Sequence, residues 1–229
     1  MKGKYKIILF IILLLYLVTK IFLPVVAERE IKQNIVKNVD DVQVLEVDAD
    51  SFPVWEILLS RIDRVEVKAS NLVVDNLCIN SFITKHRNLY IEDKKIKGEN
   101  TDLKLVITEQ ALNEYISKKY PGLNKFHIKF ISKQAYLSGQ VNFFNKKVNI
   151  QLAGKFNVQE KNIINFEPLN LKIEKLEIPG DLIKKFIEDT GFVIDLNNLN
   201  ISLNVERIKI DSSRIYLLGG IYTGKAGLQ

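Results

Sequence analysis

Residues 148–158 read VNIQLAGKFNV. Val148, Ile150, Leu152, Phe156 and Val158 fall on one side of an extended chain, and Asn149, Gln151, Lys155 and Asn157 on the other. Strict period-2 alternation over this length predicts a strand with one apolar and one wet face. The fold follows from what that apolar face covers: the protein's own core, or a guest brought in from outside.

The neighbouring segments have the same character. Strand-like runs at 125–132, 134–144, 147–158 and 163–177 are separated only by SK, NKK and QEKN. Short polar turns between consecutive strands predict an antiparallel meander. The apolar phase shifts between Ile173 and Leu176, and again between Val44 and Leu45 in the strand-like VQVLEVD at 42–48, which predicts β-bulges there. Further strands are expected at 64–70, 72–83, 89–92, 102–108, 201–210 and 213–218. TKHRN is read as an interruption that puts His86 in a turn, KKIKGEN (94–100) as a charged turn, and FVIDLNNLN (192–200) as an irregular connection.

Three segments switch to helical periodicity. In 51–62, Val54, Trp55, Leu58, Leu59 and Ile62 form a stripe, with Ser51 as N-cap and Pro53 in the first turn. In 108–122 the stripe is Ala111, Leu112, Tyr115 and Ile116, capped by Thr108 and stopped by Pro121-Gly122. In 177–191 it is Leu182, Ile183, Phe186 and Ile187, ended by Gly191. Short amphipathic helices of this kind lie on a sheet.

The N-terminus, MKGKYKIILFIILLLYLVTKIFLPVVAE, has a basic start and an apolar run interrupted only by Lys20. As a helix, residues 7–27 span about 31 Å, one hydrocarbon core. A membrane anchor and a cleaved signal peptide both fit, the latter because Val25-Val26-Ala27 has the form of a cleavage site. Either exports the body: anchored to the membrane outside the cytoplasm, or secreted if the signal is cleaved. A reversed anchor is the lesser reading, kept open by Arg29, Lys32 and Lys37 at the far end. The expected organisation is an anchor or signal at 1–27, a stalk or first helix at 28–40, one domain at 41–220 and a frayed tail at 221–229.

The net charge of +6 is concentrated at that end, since residues 1–40 hold seven cations and three anions. The body lacks a Lys/Arg block with interleaved aromatics, so nucleic acid is not an expected partner. The lone Cys78 allows no internal disulfide and reads as a small hydrophobe. His86 and His127 are the only histidines, without a partner at metal-ligand spacing. There is no G-x-S-x-G elbow and no P-loop. Neither catalytic residues, a metal nor a cofactor are expected.

The order of the segments carries a resemblance. An apolar segment ends LPVVAEREI, and DSFPVWEILLSRIDRVEVKASNL and DLKLVITEQALNEYI follow. AYLSGQVNFFNKKVNIQLAGKFNV, INFEPLNLKIEKLEIPGDLIKKFIED and IDLNNLNISLNVERIKIDSSRIYLLGG complete the series. It resembles the LmeA-type phospholipid-binding proteins of bacterial cell envelopes over about residues 21–220. The resemblance implies a non-enzymatic α+β protein: a long, bent antiparallel sheet wrapped around two or three short helices, similar in outline to tubular lipid-binding domains. It implies phospholipid or another acyl lipid in an apolar cavity, a membrane, and an envelope-biosynthesis protein as partners. The residues expected to line the cavity are Trp55, Leu58, Leu59, Leu112, Tyr115, Ile116, Phe143, Val148, Ile150, Leu152, Phe156, Leu182, Ile183 and Phe186. The alternative is a membrane-tethered structural or scaffolding module whose core is fully packed.

Overall fold

The computed structural model of the chain describes residues 2–59, 61–92, 95–143, 146–160, 162–173, 191–199 and 203–220. The expected helix at 177–191, with Leu182, Ile183 and Phe186, lies outside the described residues, as do the bulge beyond Ile173 and the tail 221–229.

Helix α1 (Lys2–Lys37) runs without a break through Pro24, so the expected anchor and first helix are one rod. Its C-terminal part enters the domain: Ala27, Ile31 and Ile35 are buried at the i, i+4 spacing that stacks side chains on one helix face. The body is a set of antiparallel meanders. Strands β1 (Asp41–Asp50), β2 (Arg61–Val74), β3 (Leu77–Glu92) and β4 (Lys95–Thr108) pair in sequence. Helix α2 (Glu109–Lys119) then carries the chain to β5 (Phe126–Ile131), β6 (Gln134–Phe143), β7 (Lys146–Glu160), β8 (Ile163–Ile173) and β9 (Phe192–Asp195). The hairpin β10 (Val205–Asp211) and β11 (Arg214–Gly219) returns to pair β11 with β4. The strands therefore divide into a six-stranded sheet, β1-β2-β3-β4-β11-β10, and a five-stranded sheet, β5-β6-β7-β8-β9. Both contribute to one apolar core together with α1 and α2.

The opening stretch keeps its phase. Val148, Ile150, Leu152 and Phe156 face the core from β7. Gly154 holds the same face where the Phe166 ring crosses it, and a Cβ there would collide with that ring. The turns are short because the residues between strands adopt positive φ: Asp75 and Asn76 between β2 and β3, Ser132 and Lys133 between β5 and β6. Paired left-handed residues match the twist of an antiparallel hairpin.

Several expectations are corrected. In β1 the phase slips as read, but pairing with β2 carries through it, and the irregular residue is Asn71 (φ 51°) on β2. TKHRN is not a turn; it lies within β3, where pairing with β4 shifts between Lys85 and His86 and again between Arg87 and Tyr90. A bulged strand can place a mixed polar run without ending. KKIKGEN contributes the start of β4. The connection at 192–200 contains β9 and a 3₁₀ turn at Asn197–Leu199. The β7–β8 ladder also shifts register, at Ala153/Gly154 and Val158/Glu160, and such bulges bend a sheet.

Helix α2 locks the two sheets together. The Thr108 hydroxyl accepts from Ala111 N–H and caps it. Its stripe, Ala111, Leu112, Tyr115 and Ile116, is buried as expected. From its other side Asn113 reaches edge strand β5, where its Oδ1 accepts from Ile128 N–H at 2.7 Å and its Nδ2 donates to Ile128 C=O at 3.0 Å. Glu109 accepts from Phe130 N–H at 2.9 Å. Side chains thus satisfy an edge that would otherwise invite another strand. At the helix C-terminus Lys119 pairs with Asp75 in the β2–β3 turn. Asn113→Ala should lower stability by about 2 kcal/mol, because it strips both backbone groups of Ile128 of their partner. An unchanged denaturation midpoint would show that the clamp contributes nothing.

Candidate functional site

The site is built on the inward faces of β5–β9 and on α2. Alternation places Ile128 and Phe130 of β5, Val148, Ile150, Leu152 and Phe156 of β7, and Ile164 and Phe166 of β8 on one surface. Helix α2 lays Leu112, Tyr115 and Ile116 into the same core. Six of the fourteen residues expected to line a cavity are therefore brought together in the core, and Val148 is buried on the same face of β7. The side chain of Phe143 lies outside the described residues, like those of Leu182, Ile183 and Phe186.

Trp55, Leu58 and Leu59 are placed elsewhere. Residues Val54–Leu59 form a 3₁₀ helix rather than an α-helix. With three residues per turn, i and i+3 share a face. Val54 is buried and Ile57 packs against the core, while Trp55 and Leu58 turn outward together with Leu59. The expected stripe assumed a period of 3.6 and so merged two faces. Ser51, expected as N-cap, is buried, and its hydroxyl has no hydrogen-bond partner among the described residues.

Sequence reading singled out Phe156 but not the rings gathered around it. Phe166 and Phe192 stack with centroids 5.0 Å apart, and Phe156 packs on them at 5.3 and 6.0 Å. Phe130 adds an edge contact to Phe156 at 6.4 Å. Such contacts add about 0.5–1.5 kcal/mol each beyond the area they bury. Tyr115 and Tyr120 both donate to Val193 C=O, at 2.8 and 2.9 Å, and the Tyr120 hydroxyl accepts from Val193 N–H. These bonds fix β9 against α2. Burial, ahead of the neighbouring Tyr120, pushes the Tyr115 hydroxyl above its ordinary pKa, so it stays a neutral donor. The signal for Phe192 lay in FVID, which alternates but is too short to separate from loop by periodicity.

A cleft of 530 Å³ lies at the β8–β9 edge, lined by Asn157, Asn165, Phe166, Glu167, Phe192 and Val193; Asn157, Asn165 and Val193 form one cross-strand row on the wet face of the sheet. β9 pairs with β8 only over Ile163–Phe166, so the rest of that edge of β8 has no β9 residue against it. The outer face of the same sheet carries a second cleft, of 730 Å³. Lys125, His127, Lys129 and Lys172 line it with Gln140 and Gln151. The register sets His127, Ser138, Gln151 and Lys172 in one cross-strand row. These cations are scattered in the sequence and meet only through pairing.

Among the described residues no three of His, Cys, Asp and Glu come together as a metal-binding group. Cys78 is half-buried, and burial pushes its thiol pKa up, away from the reactive thiolate. A family model described as LmeA-like phospholipid-binding matches residues 18–219. No curated protein and no solved structure matches the chain.

Proposed function

The chain belongs to the LmeA-like phospholipid-binding family, and from that premise we propose that a phospholipid sits with its acyl chains in the interior bounded by α2 and β7–β9, entering beside the edge of β8 that β9 leaves unpaired. The protein is a non-enzymatic lipid-binding protein of the cell envelope, held outside the cytoplasm by its apolar helix α1. The anchor reading gains support from packing. Ala27, the last residue of the expected cleavage site, is buried in the middle of α1, and the helix continues into the core through Ile31 and Ile35.

The observation that supports the lipid position is an apolar interior bounded by α2 and the sheet, beside a stretch of the β8 edge that β9 does not pair. Leu112, Tyr115, Ile116, Ile150, Leu152 and Phe156 supply the walls, together with the stacked rings of Phe166 and Phe192. Leu112, Ile116 and Leu152 are fully enclosed. The interior is closed on its own side chains, and a chain entering it must part them. Each acyl CH₂ moved there from water contributes about 0.8 kcal/mol, so a lipid tail provides the energy for that opening. On this reading the domain presents lipid at the membrane surface to a protein that makes or consumes envelope lipid.

The test is photo-crosslinking of the full chain in vesicles that contain a phospholipid with a diazirine in its acyl chain. Cross-links in peptides of α2, β7 and β8 are expected in addition to those of α1. Cross-links confined to α1 would end this reading. Leu112→Trp should remove the α2 and β7 cross-links and lower stability by roughly 1–3 kcal/mol through overpacking. Retention of those cross-links at full yield would move the lipid elsewhere.

A further inference from the structure

The 3₁₀ helix at Val54–Leu59 and the residue pair before it carry four large apolar side chains that cover nothing. Phe52 is 80 % exposed, Trp55 57 %, Leu58 68 % and Leu59 67 %. Outside α1 they form the densest run of exposed apolar residues among the described residues. Isolated exposed leucines need no explanation, but a contiguous cluster marks a surface that meets something.

The cluster is held in place rather than loose. Phe52 N–H donates to Asp63 Oδ2 at 2.7 Å, Val54 is buried beneath the turn, and Ile57 packs against the core. The other face is thereby fixed outward. Around its base lie charges suited to a polar interface: Arg61, Asp63, and Arg64 paired with Asp50 at 3.6 Å.

Its location identifies the occupant. α1 ends at Lys37, residues 38–40 turn, and β1 packs back along the helix. Ten residues of strand reach about 33 Å, the length of about 22 helical residues. The far end of β1, and the turn that follows it, therefore lie beside the apolar half of α1 and not beside its polar C-terminal turns. The turn touches α1 directly, and Leu23 and Pro24 of α1 are half-buried whereas Ile21, Phe22, Val25 and Val26 remain exposed. The apolar cluster is thus continuous with the exposed apolar surface of the membrane-spanning segment.

We propose that Phe52, Trp55, Leu58 and Leu59 insert into the outer leaflet beside α1, making a second point of membrane contact that fixes the tilt of the domain on the bilayer. A single tether leaves a domain free to swing, whereas a tether plus an inserted wedge sets one orientation. An aromatic belt residue flanked by leucines, above a charged collar, is the composition that settles at a membrane interface. The proposal does not depend on lipid occupying the interior.

Trp55 is the sole tryptophan of the chain, so intrinsic fluorescence reads this turn alone. In the full chain, reconstituted into vesicles of phosphatidylcholine and phosphatidylglycerol, its emission should be blue-shifted, quenched by lipids brominated near the top of the acyl chains, and shielded from iodide. The variant Phe52→Ser/Leu58→Ser/Leu59→Ser changes only outward-facing side chains and retains α1. Its emission should shift to the red, lose bromolipid quenching and gain iodide quenching, while the acyl cross-links of α2 and β7 persist. Three results overturn the proposal. One is wild-type emission that is red and open to iodide. Another is blue emission insensitive to bromolipid, which would mean that protein covers the patch. The third is equal bromolipid quenching in wild type and variant, which would make α1 alone responsible.

Discussion

Phe156→Ala should lower the stability of the protein by about 3–5 kcal/mol, the usual loss when a buried phenylalanine is cut to a methyl group. Phe156 is the meeting point of three rings, those of Phe130, Phe166 and Phe192, and the sheet beneath it is stiffened by the Phe166 ring lying across Gly154. Phe166 lies in β8 with ladder partners on both sides, and the Tyr115 and Tyr120 hydroxyls hold β9 at Val193, so the neighbours cannot collapse fully into the space and the cost of the remaining cavity is added to the lost transfer energy. The same cavity makes the variant a probe of function. An apolar guest can refill it, and a ligand at about a hundred times its Kd stabilises the folded state by about 2.7 kcal/mol. Thermal unfolding in detergent, with and without a short-chain phosphatidylglycerol, should show the deficit of the variant shrinking when lipid is present. A loss below about 1 kcal/mol would mean that the ring is not packed as described. A deficit that lipid leaves unchanged, in a wild type that lipid also fails to stabilise, would mean that acyl chains do not reach this interior.

The strands were legible because burial on one face imprints period 2, and residues 148–158 hold that imprint through a glycine without slipping. The turns were legible too, since Ser132-Lys133 leaves no room for anything but a hairpin. Helix α2 was readable from Thr108 to its four buried stripe residues. What periodicity cannot carry is partnership. Nothing local in RIYLLG says that β11 lies beside β4 and not beside β9, so the partner of the closing strands was not legible. The wedge at Val54–Leu59 failed for a related reason: over six residues, periods of 3.0 and 3.6 differ by about one position, which decides whether Trp55 faces in or out. The buried faces of α2 and β7 were legible residue by residue. Phe166 and Phe192 were not, because a ring stack is a property of strand register.

His86 provides the second large effect, and it concerns acid. The side chain is 1 % exposed and points inward from β3 next to Thr84. Its Nε2 lies 3.0 Å from the Thr84 hydroxyl, which itself donates to Asp102 C=O at 3.3 Å. With the hydroxyl proton so used, Nε2 carries the ring proton and donates, and Nδ1 is left bare, without a partner among the described residues. Protonation would place a charge at Nδ1 with no acceptor to receive it. Burial accordingly lowers the His86 pKa to about 4 from an ordinary 6.5. The unfolded chain then binds a proton that the folded chain refuses, so stability must fall as pH drops below 6.5. The slope is about 1.4 kcal/mol per pH unit. The decline continues until the folded state titrates near pH 4, by which point the accumulated loss is about 3 kcal/mol. Above pH 6.5 this residue contributes no pH dependence. His86→Gln keeps an N–H for Thr84 and cannot titrate, so its denaturation midpoint should stay flat from pH 6.5 to about 5, where the wild type already declines. Parallel curves for the two proteins over that interval would show that His86 is not held neutral by the core.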